Sequence, residues 1–465
     1  MKITKVNYTL SSAAATVKSR QAKRNEDIDN IHLPGGFVSG EAGLIGQHSS
    51  LENVSRPICK TTKVSGLMKR EEILHNAKNH CFFVGLNDSG AELCKANAIY
   101  GIASIHCVQS QLGINPNATF ITTPDMTITR NTGRWQSGFG YGGKISWGKG
   151  GTKLVILNTK PNACGILLGG LNELPDFETL VKKLHQIETH TIRIDGVEVV
   201  WDFYKSNHFI DIFEVKAVSK TNFNLPPYAF AIHGSANEFA GDNMSGFGLY
   251  YDKSNLLYDM ADHIHTLFGE FHVVTGSAAE KYFEKYKYVE DFAKRKRKRA
   301  AELLFGDFLE ISNEPHQGLV NMNEIVLGCH NSKNNATLFP LTLRADLPAY
   351  IVRGKPNLSQ ESIDLLGFEK RARRLGVYDR LLNANIIPHG GEYVLPNILT
   401  VNNVIEVNGK RYFDVEMQND RGKKIISEVR ELPYDYRGRT VLLRALEIGF
   451  LNIVAKLIPQ CVLKI

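Results

Sequence analysis

The amino-acid sequence predicts an α/β protein in which helices and strands form mixed layers. Of the 465 residues, 43% are hydrophobic and 22% are charged, proportions typical of a globular chain with a sizeable core. Short apolar segments alternate irregularly with amphipathic ones, and no internal repeat is visible. The pattern therefore favours mixed α and β layers over a barrel or a solenoid.

The first segment, residues 1–60, is polar and lacks sustained periodicity, which predicts a partly irregular N-terminal extension. Amphipathic spacing then predicts helices at 66–79 and 97–111, followed by a glycine-dense loop or hairpin at 138–151. The remaining predicted elements are strands at 153–157 and 165–168, a helix at 177–186, strands at 197–203, 210–215 and 228–232, helices at 278–308 and 360–383, a strand-rich segment at 393–429 and a helix at 440–456.

Charge and cysteine content restrict the environment of the chain. There are 55 Lys and Arg against 48 Asp and Glu, and this net charge of +7 favours an anionic partner. The seven cysteines include no CxxC pair, which favours a reducing compartment such as the cytoplasm over a disulfide framework. The basic segment before Glu26 is also typical of a mitochondrial presequence, so the mitochondrial matrix stays an alternative. No apolar run reaches the length of a membrane span, so we expect a soluble protein without a membrane partner.

Fifteen histidines make a metal site worth seeking, although the HExxH pattern is absent. His263 and His265 fall in a predicted helix, where residues two apart face different directions, and we expect no site there. His208, His233 and His316 stand at the ends of predicted strands, where imidazoles from neighbouring strands can meet around a metal. Spacing alone leaves open that the three are separate, hydrogen-bonded histidines.

Several segments, in order along the chain, resemble the RtcB family of RNA ligases. Residues 206–212 (SNHFIDI) resemble the family's GNHFIEI, 232–235 (IHGS) its IHSGSR, 315–317 (PHQ) its HHN or PHN, 350–354 (YIVRG) its YIVRG, and 453–464 its closing helix with a terminal Lys-Gly. Upstream, 124–125 resembles the start of PDxH, and 161–165 (PNACG) the lead into VGxDIGCGM. The resemblance runs from 117 to the C-terminus and implies an RtcB-like domain at 61–465, with insertions, after the extension.

The resemblance implies a chemistry and a set of site residues. The family joins an RNA 3′-phosphate or 2′,3′-cyclic phosphate to a 5′-hydroxyl in tRNA splicing and RNA repair, using GTP, manganese and a guanylylated histidine. By this resemblance His208, His233 and His316 occupy metal-ligand positions. Asn207 and Lys464 occupy nucleotide-binding positions.

The departures from the family pattern argue against guanylylation. An ungapped count from 350–354 puts the family's nucleophilic histidine at Leu366, which has no nucleophilic atom. The same frame sets residues 342–346 (TLRAD) against the glycine loop PGSMG. Where the chain resembles VGxDIGCGM, Leu167 replaces the aspartate and Gly170 the cysteine. The sequence leaves open that this frame has slipped, that Cys164 or Asp176 supplies a missing ligand, and that His389 replaces the nucleophile.

We therefore expect an RtcB-like pseudoenzyme, an RNA-binding or assembly subunit that holds one divalent ion (Mn or Zn) and does not use GTP. Its expected partner is RNA, either alone or together with a protein or ribonucleoprotein complex. The alternatives are an active ligase with relocated catalytic groups, so that enzyme status stays open, and a metal hydrolase, for which no general base is evident.

A basic run, residues 294–299 (KRKRKR), lies inside the predicted helix 278–308. The resemblance implies a surface facing RNA, so we expect Lys294, Arg295, Arg297 and Lys298 to contact phosphates. A solvated helix face and a nuclear-localisation signal are the alternatives.

Overall fold

An eleven-stranded sheet organises the computed structural model, which describes residues 69–203, 207–218, 224–418 and 422–464. The strand order is β1-β2-β3-β13-β12-β5-β9-β8-β23-β16-β15, with the strands numbered along the chain. Only the β1–β2 pair is parallel among the described neighbours of this sheet. The predicted mixed α/β class is confirmed, whereas the predicted extension at 1–60 lies outside the described residues.

The described helices are α1 (Arg70–Asn79), α2 (Ser89–Gln111), α3 (Thr132–Gln136), α4 (Phe177–Thr189), α5 (Asn255–Met260), α6 (Gly276–Phe305), α7 (Gln360–Leu365), α8 (Glu369–Arg374), α9 (Tyr378–Leu382) and α10 (Thr440–Glu447). The strands are β1 (Cys81–Phe82), β2 (Thr119–Thr127), β3 (Tyr141–Ser146), β4 (Leu154–Ile156), β5 (Cys164–Leu171), β6 (Arg193–Ile194), β7 (Val197–Glu198), β8 (Phe209–Ala217), β9 (Tyr228–Gly234), β10 (Asp262–Thr266), β11 (Gly269–Thr275), β12 (Leu309–Asn321), β13 (Glu324–Leu327), β14 (Cys329–Asn331), β15 (Leu338–Leu341), β16 (Ala349–Gly354), β17 (Ile386–Pro388), β18 (Tyr393–Val394), β19 (Ile398–Val407), β20 (Lys410–Met417), β21 (Lys423–Ile426), β22 (Asp435–Tyr436) and β23 (Leu451–Leu463). None of the helices described here is long and apolar enough to cross a membrane.

The long helix α6 packs against β5, β9 and β12 of the large sheet. Its buried residues recur every three or four positions, the spacing that keeps side chains on one face of a helix: Ala279, Tyr282, Tyr286, Val289, Ala293, Lys296, Ala300 and Leu304. This face carries part of the basic run into the core. The predicted helix at 278–308 is confirmed with slightly different ends.

The C-terminal segment differs from its prediction. The predicted helix at 440–456 and the closing helix expected at 453–464 are replaced by the short helix α10 and by strand β23, which pairs with both β8 and β16. Gly449 ends the helical segment with φ of 72°, a conformation that glycine adopts without a Cβ clash. Pro459 has no N–H group to donate within a helix, so the segment after it cannot continue one easily.

Two other predicted helices are corrected. The segment 360–383 forms three short helices, because Gly367 and Gly376 adopt φ of 67° and 68° at the breaks. His263 and His265 lie on strand β10 of a tight hairpin, not on a helix. On a strand, residues two apart point to the same face, so these two imidazoles lie side by side.

Candidate metal centre

Three histidines and a cysteine meet at one end of the large sheet. The sulfur of Cys164 lies 3.1 Å from Nε2 of His233 and 3.7 Å from Nε2 of His208. Nε2 of His233 is in turn 3.1 Å from Nε2 of His316. The three histidines selected from the sequence are thus brought together, and Cys164 joins them.

Adjacent strands of the sheet produce this convergence. The order β12-β5-β9-β8 sets four neighbouring strands side by side, and their pairing brings together the start of β5, the end of β9, the residue before β8 and the interior of β12. Cys164 begins β5, and His233 stands near the end of β9, opposite Ile166. His316 lies in β12 at a break in register between Pro315 and Gln317, and such a bulge redirects a side chain out of the regular alternation.

Oxygen atoms beside Nδ1 of two of the imidazoles orient the Nε2 side of these rings toward the sulfur. Nδ1 of His208 lies 3.0 Å from an Asp202 carboxylate oxygen, and Nδ1 of His233 is 2.9 Å from the carbonyl oxygen of Asn207. A proton held on each Nδ1 leaves the Nε2 lone pair facing the cluster, the arrangement usual for metal-bound histidines. Nδ1 of His316 is buried and has no hydrogen-bond partner among the described residues.

The charges in this buried cluster stabilise one another. Burial alone raises the pKa of Cys164, but its contacts with His233 and His208 outweigh burial and hold that pKa well below its usual value. Burial lowers the pKa of His208, but hydrogen bonds with Asp202 and Cys164 outweigh it and raise that pKa to about 10. Without a metal, these two pKa shifts favour a thiolate at Cys164 paired with an imidazolium at His208. Burial and the neighbouring His389 lower the pKa of His316, which keeps it neutral.

This donor set can hold a divalent ion. Cys164, His233 and His316 have ligand atoms within 4.8 Å of one another, and all three residues are buried. A thiolate with imidazoles suits zinc and other borderline transition metals.

A fourth histidine, His389, stacks beside the cluster, with its ring centroid 4.3 Å from that of His316. Nδ1 of His389 lies 3.2 Å from an oxygen of Asp125, and Nε2 lies 3.0 Å from an oxygen of Glu392. Asp125 also accepts hydrogen bonds from the backbone N–H of His389 and from the Thr123 hydroxyl. Burial lowers the pKa of His389, but the two carboxylates outweigh burial and raise it to about 10.

Two cavities meet at His389, Asn207 and Glu392. The larger, of about 430 Å³, includes Cys164, His208, His316, Asp202, Asn131 and Arg430 in its lining. The smaller, of about 190 Å³, includes Lys464, Asp211, Thr342, Arg344, Gly390 and Gly391. Burial raises the pKa of Asp211 to about 7, and the nearby Lys464 opposes that rise.

The structure locates the other residues selected from the sequence. Asn207 and Lys464 line the smaller cavity. Leu366 follows helix α7, is half-buried against an apolar cluster that includes Ile363 and Phe368, and lines neither cavity. The ungapped count from 350–354 therefore leads to a residue outside the centre.

Leu167, Gly170 and Asp176 also lie apart from the cluster. Leu167 is buried in the apolar core, and Gly170 packs against Pro226. Asp176 is exposed and caps α4 by accepting the backbone N–H of Thr179. The sulfur of the cluster belongs to Cys164, one of the alternative ligands that the sequence left open.

Sequence reasoning gave little weight to Cys164, Asp125, His389 and Glu392. Two dipeptides were the available signal for Cys164 and His389. The Cys-Gly pair at 164–165 also occurs in VGxDIGCGM, and the His-Gly pair at 389–390 also occurs in HGAGR, the motif around the family's nucleophilic histidine. An ungapped count from the YIVRG segment does not reach His389, because α7, α8 and α9 lie between them.

The basic run divides into buried and exposed residues. Arg297 is 2% exposed and donates hydrogen bonds to the carbonyl oxygen of Gly234 (3.0 Å) and to Asn313 (2.8 Å), so it cannot reach RNA as predicted. Lys296 is buried beside Glu238 (2.9 Å) and donates to two carbonyl oxygens. These two cations hold the backbone next to His233 and support the centre from within.

The exposed cations of the run already have carboxylate partners. Lys294 lies 2.9 Å from Glu314, and Lys298 lies 3.2 Å from Glu310. Arg295 binds Asp195 with both terminal nitrogens. Lys294, Arg295 and Lys298 line an open groove of about 560 Å³ that also includes Asn334 and Thr337.

Comparison with known proteins yields no match: no protein-family model matches this chain, and neither does any curated protein.

Replacing Arg297 by Met should destabilise the fold by about 2 to 4 kcal/mol, because the carbonyl of Gly234 and the amide of Asn313 lose a buried, charged donor. Arg299→Met is the matched control. That side chain is half exposed in an i,i+3 pair with Glu302, so its loss should cost less than about 0.5 kcal/mol. Urea unfolding of the two variants measures the difference. Equal destabilisation would contradict a structural role for Arg297.

Replacing Cys164 by Ser should weaken binding of Co²⁺ at the centre by at least about tenfold and abolish the thiolate-to-cobalt absorption band, since the hydroxyl is a much poorer ligand than a thiolate. Cys461→Ser serves as the control, because Cys461 is a free cysteine on β23 outside the cluster. Optical titration of both variants checks the assignment. A sulfur band that survives in Cys164→Ser would exclude Cys164 as the ligand.

Proposed function

We propose that this chain is a GTP- and divalent-metal-dependent RNA ligase of the RtcB type, with His389 as the residue that accepts the guanylyl group. The observation that carries the proposal is the position of His389, whose ring lies 4.3 Å from that of His316 within the Cys164–histidine cluster. The RtcB-like fold, with its insertions, is part of the same proposal. It puts the active-ligase alternative before the expected pseudoenzyme, which depended on Leu366, Leu167, Gly170 and residues 342–346.

The smaller cavity supports a nucleotide site beside His389. Asn207 and Lys464, the two positions that the resemblance assigns to nucleotide binding, both line it. Gly390 and Gly391 line it as well, but their N–H groups already donate to protein oxygens. The ammonium group of Lys464 is the suitable partner for an anionic ligand here.

His389 needs a free nitrogen lone pair to act as a nucleophile. Glu392 is placed to take the proton from Nε2, at 3.0 Å, while Asp125 retains the proton on Nδ1, at 3.2 Å. Nε2 then forms a bond to the α-phosphorus of GTP as the bond to the pyrophosphate leaving group breaks. A divalent ion held by Cys164 and the three histidines would supply neutralisation of phosphate charge.

A second candidate function is a non-catalytic RNA-binding or assembly subunit. It is favoured by a specific feature: both ring nitrogens of His389 face carboxylates, and its pKa of about 10 keeps the ring protonated at neutral pH. An imidazolium has no lone pair to donate. In this candidate the groove beside Lys294 and Lys298 would hold the RNA.

Incubation of the pure chain with α-labelled GTP and Mn²⁺ should give a label that survives denaturation, and His389→Asn should abolish it. Leu366→Ala is the control, because Leu366 packs outside both cavities and should leave labelling intact. Peptide mapping locates the label. Since the pKa of His389 is raised to about 10, the yield of label should increase as the pH rises from 7 toward that value.

An absence of label at every pH would overturn the ligase proposal and leave the non-catalytic candidate. Label that persists in His389→Asn would show that another residue is the nucleophile.

Replacing Lys294 and Lys298 by Ala should lower affinity for single-stranded RNA and reduce the log–log salt slope by about 1.4, the value for two phosphates on a single strand. Exposed ion pairs contribute little, so phosphate can compete with Glu314 and Glu310 for these lysines. The control is Lys182→Ala with Lys287→Ala, which removes two exposed, paired lysines elsewhere. Fluorescence anisotropy at several salt concentrations checks the slope. Equal salt slopes in both double variants would show that this groove does not bind RNA.

A further inference from the structure

A second cluster of metal-ligand side chains lies on the β10–β11 hairpin, and it shares no residue with the Cys164 centre. Within the part of the chain that the structure describes, His263, Glu270 and His272 form the other group whose ligand atoms lie within 4.8 Å of one another. His263 on β10 is directly opposite His272 on β11, and His265 is opposite Glu270. Antiparallel pairing therefore sets three imidazoles and one carboxylate on the same face of a two-stranded ribbon.

The three imidazoles surround the carboxylate of Glu270. Nδ1 of His263, Nε2 of His265 and Nε2 of His272 each lie 3.8 Å from one of its oxygens. This separation is too long for a hydrogen bond. Ligands of one tetrahedral zinc ion, bound at 2.0–2.1 Å, lie about 3.3 Å apart, so small side-chain rotations would close the set around a shared ion.

His272 has the environment of a ligand without its ion. Its side chain is 7% exposed, and Nδ1 is buried without a hydrogen-bond partner among the described residues. The ring stacks on Tyr251, with centroids 4.0 Å apart and planes 16° from parallel, so the ring plane is already fixed. At least one ring nitrogen of a buried imidazole normally has a bonding partner. A metal bound to Nε2 would be that partner for His272.

His263 is oriented for the same ion from the opposite strand. Its Nε2 lies 3.1 Å from the carbonyl oxygen of Tyr258, which accepts a hydrogen bond when Nε2 carries the proton. Nδ1 is then the nitrogen with the lone pair, and it is the nitrogen that faces Glu270. A ligand histidine commonly donates its other N–H to a backbone carbonyl in this way.

We propose that the β10–β11 hairpin binds a second divalent transition-metal ion through His263, Glu270 and His272. His265, which is 85% exposed and faces the same carboxylate, can complete four-coordination. Imidazole and carboxylate donors without sulfur suit zinc, nickel and copper, and we take Zn²⁺ as the probe. The ion would cross-link the hairpin, whose strand β11 leads directly into helix α6.

The test counts zinc bound to the full-length chain. His263→Ala combined with Glu270→Gln should remove one equivalent of tightly bound Zn²⁺ per chain, measured by elemental analysis after gel filtration. Both side chains are at the surface, so the fold should survive. The control is His185→Ala, an exposed histidine on α4, which should leave the zinc content unchanged.

Cobalt distinguishes this ion from one at the Cys164 centre. The hairpin has no sulfur ligand, so the double variant should lose only the part of the cobalt d–d absorption that comes from the hairpin, while the thiolate-to-cobalt band keeps its intensity. An unchanged zinc content in the double variant would overturn the proposal. Loss of the sulfur band together with the equivalent of zinc would also overturn it, because the lost ion would then belong to the Cys164 centre.

Discussion

The contact between the Cys164 sulfur and the imidazoles of His208 and His233 is the interaction on which the rest of the centre depends. An isolated thiolate or imidazolium is costly to bury, and each is stabilised here by the other. Asp202 extends the charge pairing behind His208 and itself lies 3.8 Å from the buried ammonium of Lys296. The charged groups therefore form one buried network, and a metal ion would enter it by displacing the proton of His208.

The sheet and helix α6 hold this network in position. Three paired strands, β12, β5 and β9, carry His316, Cys164 and His233, and His208 stands directly before the adjacent strand β8. Helix α6 fixes the backbone beside them, because Arg297 binds the carbonyl of Gly234, the residue after His233. A rigid support of this kind keeps ligand positions within the narrow limits that metal binding requires.

Part of this organisation could be predicted from the sequence. The helical period of α6 and the short apolar segments of β8 and β9 are local signals, and the order of short motifs singled out His208, His233 and His316, which the structure brings together. An ungapped count has no such local signal. Counted from YIVRG, it leads to Leu366, which lies in an apolar cluster outside both cavities, and three short helices separate YIVRG from His389.

Other failures have physical causes that a single sequence conceals. The strand β23 contains apolar residues that also suit a helix, and its pairing with β8 and β16 is a long-range contact. His263 and His265 were assigned to a helix, which hid the face that they share with Glu270 and His272 across a hairpin. Cross-strand neighbours of this kind become visible only once the register is known.

The central claim is that Cys164, His208, His233 and His316 hold a divalent ion beside His389. Anomalous diffraction at the manganese absorption edge, from crystals of the full chain grown with Mn²⁺ and GTP, tests it most directly. We expect an anomalous peak within coordination distance of the Cys164 sulfur, and phosphorus density continuous with Nε2 of His389. A cluster without an anomalous peak, or nucleotide density bound away from His389, would contradict it.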